Sequence, residues 1–211
     1  VLEASLRESA AEVPPHPVTV ALIGPNAITQ LAAAIERLHG GVTTRSVFTE
    51  AGLAHHLDHP PSEMVDEADV ISLHRAGRGL LGDTAFMAVA GLAGSLTGDY
   101  ILGNRIPVAA RTVLPRLPGF IASRVLARAI ANHAWTFAGS GRFACQFSRE
   151  GVLFTIEDSP LTRELSSTIP CCHYYTATFE RLFRALVTSR ARVSETRCAA
   201  AGAPDCRFLV S

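Results

Sequence analysis

The sequence predicts an α+β fold, a mainly helical first half followed by an antiparallel sheet packed against helices. Three observations predict it. Apolar residues recur at helical spacing until about residue 137. The period then switches to two over Phe143–Phe147 and Val152–Ile156, with a turn near Glu150 and Gly151. A last amphipathic helix and two more short alternating runs follow, joined by hairpin-length links. With 211 residues, 48% hydrophobic and 18% charged, the chain has ample apolar surface for a core and is not disordered in general.

The elements follow in order. Residues 1–17 read as a flexible leader that ends in Pro14, Pro15 and Pro17. Its three glutamates and missing apolar segment exclude a signal peptide. Residues 18–118 read as a mainly helical region and 119–211 as an α+β domain, the two forming one continuous globule. A short apolar run, Val18 to Ile23, stops at Gly24-Pro25. Asn26 caps a helix over Ala27 to Leu38, closed by Gly40-Gly41. A short helical piece is expected at Thr49 to Leu57, then helices over Glu67 to Leu80 and from Asp83 to about Asn104. Pro107 ends the last of these, and three prolines make residues 107–119 a connection. Phe120 to Phe137 is the best amphipathic helix, with Ala122, Leu126, Ile130, His133 and Phe137 on one face and Arg124 and Arg128 on the other. That projection points His133 inward. After the hairpin come a helix from about Cys172 to Val187 and strands at Ala191 to Arg197 and Cys206 to Val210.

Composition excludes several chemistries. All 19 cations are arginine, so no P-loop lysine, Schiff-base lysine or kinase-type lysine exists here. Net charge is zero, which disfavours nucleic acid as a partner. No uninterrupted apolar run reaches the ~18–20 residues of a spanning helix, the best being Phe86 to Leu96, so no transmembrane segment is expected and the protein reads as soluble and cytoplasmic. The charge is uneven: residues 1–98 sum to −6 and residues 99–211 to +6, a weak pointer to an anionic ligand for the second half.

Four of five cysteines fall in the last 41 residues: Cys171, Cys172, Cys198 and Cys206. In a cytoplasmic setting such clustering points to metal ligation or to buried packing. The candidate ligands are Cys172, Glu195, Cys198 and Cys206, with Cys171 or His173 as substitutes. Spacing alone leaves both readings open, because seven residues between two cysteines is no standard zinc knuckle.

Several longer runs carry a resemblance. They are Gly98 to Pro107, Ala131 to Phe143 (ANHAWTFAGSGRF), Phe179 to Leu186 (FERLFRAL), Glu195 to Cys198 (ETRC) and Pro204 to Phe208 (PDCRF). Together they resemble the BchJ family of bacteriochlorophyll-synthesis proteins, and the C-terminal portion is similar to the 4-vinyl reductase domain family. The resemblance implies helices against an antiparallel sheet. It also implies a structural zinc held by Cys172, Glu195, Cys198 and Cys206, as in phenol-sensing relatives, with Cys171 against Cys172 left open. It implies a tetrapyrrole ligand such as Mg-protochlorophyllide, other bacteriochlorophyll-synthesis enzymes as partners, and leaves room for a homodimer.

The pigment-site candidates follow from that expectation. His133 is the first axial-ligand candidate and His74 the second. Trp135, Tyr100 and Phe137 could stack on the macrocycle. Gly91 and Gly94, on a face with Ser95 and Gly98, could admit its flat surface. Arg105, Arg124 and Arg128 could pair with its carboxylates. No dinucleotide fingerprint or ferredoxin-type cysteine spacing is present in the sequence. A carrier or accessory factor in 8-vinyl (4-vinyl) reduction is therefore preferred to a self-sufficient enzyme. A reductase with an external electron donor and a zinc-bearing sensor or interaction module are the alternatives.

Overall fold

The computed structural model describes residues 20–211; the leader expected over residues 1–17 lies outside them. A two-residue strand β1 (Leu22–Ile23) pairs antiparallel with β2 (Val65–Asp66). Between them run α1 (Asn26–Glu50) and the single turn α2 (His55–Asp58). Gly40 breaks α1 with φ of +81°, a conformation that glycine adopts without a Cβ clash. The sequence expects a helix to close there, and it does. The chain re-enters a helix at once, however, so the piece expected at Thr49 to Leu57 is in fact the end of α1 and α2. Thr44, Val47 and Phe48 are buried in this second segment, and that burial keeps it helical.

Next come α3 (Glu67–Leu81) and α4 (Asp83–Asn104). The Asp66 side chain caps α3 by accepting from the Ala68 N–H at 2.8 Å. With 22 residues and a mean hydropathy of 1.4, α4 has the length and composition of a spanning helix, which the run-based reading missed. It nonetheless buries Phe86, Val89 and Ala93 against α1 and α3. The connection expected over residues 107–119 is instead a short helix, α5 (Val108–Val113), and a 3-10 turn. Pro107 sits just ahead of α5, where its fixed φ starts a helix rather than ending one.

The second half contains α6 (Gly119–Asn132), the hairpin β3 (Arg142–Phe147) and β4 (Val152–Glu157), α7 (His173–Leu186), β5 (Val193–Arg197) and β6 (Asp205–Val210). The four strands form one antiparallel sheet in the order β3-β4-β6-β5. Alternate residues of β4 and β6, among them Phe154, Ile156, Phe208 and Val210, are buried. They pack with the α7 face of Phe179, Leu182, Phe183 and Leu186 and the α6 face of Ala122, Leu126 and Ile130 in one core. The other side of α7 lies along α4, the most extensive pairing in the described residues. Thr178 donates to the Gly94 carbonyl at 3.0 Å, and Arg181 Nε donates to Asp99 at 2.6 Å.

Candidate functional site

Four potential ligands come together where α7 meets the sheet. Cys172 is the N-cap residue of α7. Glu195 lies in β5 just before a register shift between Glu195 and Arg197. The bulge turns the strand end, and Cys198 follows it. A 3-10 turn closed by Gly202 (φ +88°) then leads back into β6, where Cys206 faces the core.

The ligand atoms of Cys172, Glu195, Cys198 and Cys206 all lie within 4.8 Å of one another. Cys172 Sγ is 3.6 Å from Cys206 Sγ. Two sulfurs on one tetrahedral zinc, each at ~2.3 Å, sit ~3.8 Å apart, so the set fits such an ion with little movement. Cys172, not Cys171, belongs to this mutually close set; Cys171 Sγ flanks it, 3.7 Å from Cys198 Sγ. The fifth cysteine, Cys145, is on β3, opposite Phe154.

Electrostatics point the same way. Hydrogen bonds from Cys171, then Cys172 and Cys206, hold the Cys198 thiol far below its ordinary pKa. Cys172 is pushed well up by hydrogen bonding with Cys171, Cys198 and Cys206 and by burial. Burial raises Glu195 to about 8, against the Cys172 N–H that stabilises its charge. Without a cation, the cluster thus concentrates its charge on one thiolate. Glu195 Oε1 is also buried with no hydrogen-bond partner. A divalent ion would let the other thiols ionise and would give that oxygen a partner.

Comparison with known proteins places this geometry. Residues 152–211, which contain all four candidate ligands, match the 4-vinyl reductase domain. Over 188 residues the chain is 45% identical to the "Bacteriochlorophyll synthase 23 kDa chain" of Cereibacter sphaeroides, covering 88% of each chain. It is 40% identical to the protein of the same description from Rhodobacter capsulatus, over 89% of this chain and 86% of that one. The chain belongs to the bacteriochlorophyll synthase 23 kDa chain family. It is a bacteriochlorophyll-synthesis protein with a domain of the 4-vinyl reductase type.

Solved structures agree on the fold of this family member. An H-NOX protein from K. algicida superposes with a TM-score of 0.60 at 10% identity, over 90% of this chain and 96% of that one. The phenol-responsive sensory domain of the transcription activator PoxR gives 0.52 at 16% identity, over 69% and 74%.

The structure disposes of the expected pigment residues differently from the sequence reading. His133 does not point inward. The α6 helix ends at Asn132, so His133 becomes its C-cap residue and is exposed. His133 Nδ1 lies 2.8 Å from the Ala129 carbonyl. His74 is sealed in the core between Phe86 and Tyr174, and burial together with Arg78 lowers its pKa to about 3. Gly94 does not face a ligand space: a Cβ there would run into the Tyr174 carbonyl of α7. Gly98 is covered by Arg181, whereas Gly91 has open space beside it. Phe137 stacks in the core with Phe143, Tyr175 and Phe179. Tyr100 sits under Arg105, and Trp135, Arg124 and Arg128 are exposed.

Sequence reasoning missed two groups around the site. Arg78 lies over the Phe86 ring and donates to the Cys171 carbonyl at 3.2 Å, tying α3 to the strand-side start of α7. Glu67 accepts from the Ser140 N–H and hydroxyl at 2.8 Å each and from Arg163 at 2.6 Å. Neither group has a spacing signal, because their partners lie 73 to 96 residues away.

Proposed function

We propose that this protein binds a (divinyl) protochlorophyllide or chlorophyllide-type magnesium tetrapyrrole and serves as carrier or accessory factor in 8-vinyl reduction. Its Cys172, Glu195, Cys198 and Cys206 cluster holds one structural zinc. The observation that carries the pigment reading is the 45% identity, over nearly the whole chain, to a protein described as a bacteriochlorophyll synthase subunit.

His133 is the residue best prepared for an axial role. Its Nδ1 faces a backbone carbonyl at hydrogen-bonding distance, which selects the Nδ1–H tautomer and leaves Nε2 with its lone pair toward solvent. Trp135 stands exposed two residues on, and Arg128 lies one helical turn back on α6, available for a carboxylate. The buried His74 and the packed Gly94 face support no such role. For the metal, Cys172, Cys198 and Cys206 are almost fully buried, as a closed structural site requires. When bound, zinc supplies bonds that cross-link the start of α7 to β5 and β6.

The test is a titration of purified protein with divinyl protochlorophyllide, with and without NADPH. The expected result is a saturable red shift of the pigment spectrum at micromolar protein with the vinyl group unchanged. No saturable change overturns the pigment reading. Vinyl reduction by the protein alone makes it the reductase.

A further inference from the structure

Residues 100–149 contain seven arginines and no Asp or Glu. Of these arginines, only Arg142 pairs with carboxylates among the described residues, at Glu157 and Asp158. The stretch includes α5 and α6, and α6 has two apolar faces. Ala122, Leu126, Ala127 and Ile130 turn to the core. The opposite face exposes Phe120, Ile121 and Val125 with Arg124 and Arg128 among them. Phe120 is 65% exposed, Val108 on α5 67%, and Trp135 just past α6 62%. Arg124 and Arg128 lie over the Phe147 ring at 5.5 and 5.9 Å, which keeps both guanidinium groups at this surface.

An ordinary solvated helix face mixes charges of both signs and shows few aromatic rings. This one has a single sign of charge, with large apolar side chains between the cations. Such a surface suits an interface in which apolar groups enter a soft boundary and guanidinium groups pair with phosphates. We propose that the α5–α6 face docks on the surface of an anionic phospholipid bilayer. The contact is peripheral: Phe120, Ile121 and Val125 enter the headgroup boundary, and Arg124 and Arg128 pair with lipid phosphates. It is independent of the pigment reading, because it needs no tetrapyrrole.

The full chain is mixed with vesicles of equal phosphatidylglycerol and phosphatidylcholine, and separately with pure phosphatidylcholine, at low salt. The expected result is sedimentation with the anionic vesicles, at least about tenfold weaker with neutral ones and reversed by 0.5 M salt. Trp135, the single tryptophan of the chain, should shift to the blue on binding. The paired reversal Arg124→Glu/Arg128→Glu should weaken binding at least about tenfold. Phe120→Ser/Val125→Ser should reduce it and abolish the blue shift. All four positions are exposed, and an unchanged thermal melt verifies folding of each variant. Failure of the full chain to sediment overturns the proposal. Sedimentation without a Trp135 shift marks a charge-only surface, of the kind an acidic protein takes, and overturns it too. So does a dimer that Phe120→Ser/Val125→Ser converts to monomer, since the face is then a contact between copies of this chain.

Discussion

The backbone N–H of Cys172 donates to Glu195 Oε2 at 2.7 Å, joining the first turn of α7 to the end of β5. One carboxylate therefore both fixes the helix start and sits among the cluster's sulfurs. Its other oxygen is left without a partner. The helix that organises the core and the candidate metal centre are thus set by the same residue.

Metal content follows from this arrangement. Protein prepared without chelator should contain about one zinc per chain by elemental analysis. Cys172→Ser, Cys198→Ser and Cys206→Ser should each lose it, while Cys171→Ser should keep it. Glu195→Gln should weaken binding by about tenfold or more, because it removes the charge and disturbs the Cys172 N–H. Chelation should lower the melting temperature, since a structural ion contributes folding free energy. Metal retained by both Cys198→Ser and Cys206→Ser would exclude this site.

The two glycines of α4 should respond in opposite directions. Gly94→Ala sets a Cβ against the Tyr174 carbonyl, which is backbone and cannot swing away. The cost expected is about 1–3 kcal/mol, read by chemical denaturation. Gly91→Ala meets nothing within 4 Å and should stabilise by up to ~1 kcal/mol through helix propensity. Equal effects at both positions would mean that α4 and α7 do not pack as described.

Much of this was legible in the sequence, and the exceptions have identifiable causes. The hairpin, α3, α4 and α7 appear within a residue or two of their expected positions, because local periodicity and turn residues define them. The Cys172, Glu195, Cys198 and Cys206 set was likewise readable, since three members lie within twelve residues. Pro107 misled because a proline can open a helix as well as close one. His133 misled because a 100° projection holds only while the helix lasts, and α6 stops one residue earlier. The Gly94 face misled because sequence shows that a surface is small without showing what covers it. Here α7, eighty residues away, covers it.

Acid stability should show two separable windows. His74 has a folded pKa of about 3, below its ordinary 6.5, because burial disfavours its charge. The unfolded chain then binds a proton that the folded one refuses, so stability falls as pH drops from 6.5 toward 3. A shift of that size amounts to several kcal/mol, on the order of 4–5, once both values are passed. Glu67 is raised by burial but lowered further by Ser140 and Arg163, for a net fall below 4.5. Its contribution is complete above 4.5 and is lost as pH falls through the lower folded value. His74→Phe should flatten the first window and Glu67→Gln the second, in denaturation measured at stepped pH. At neutral pH Glu67→Gln should still cost about 1.5–3 kcal/mol, the range for hydrogen bonds to a charged group.

The pigment reading makes its sharpest prediction at two histidines. His133 is exposed with Nδ1 turned to the Ala129 carbonyl, whereas His74 is enclosed by Phe86 and Tyr174. If an imidazole fills the open position of a magnesium tetrapyrrole, only His133 can reach it without unfolding the core. His133→Ala should therefore shift the bound pigment's absorption and weaken binding by about tenfold or more, the loss typical of one good polar contact to a metal-bound ligand. His133→Gln, which keeps a donor atom but not the imidazole, should restore part of the affinity with a different spectrum. His74→Phe should leave the pigment spectrum unchanged. Trp135→Ala should weaken binding without moving the axial-ligand signature, because a stacked ring adds contact area and no bond to the metal. The reverse pattern, a spectrum sensitive to His74 and indifferent to His133, would mean that α3, α4 and α7 part to admit the macrocycle. Zinc content measured on the same samples separates that outcome from collapse of the metal cluster, which lies beside Tyr174 at the start of α7.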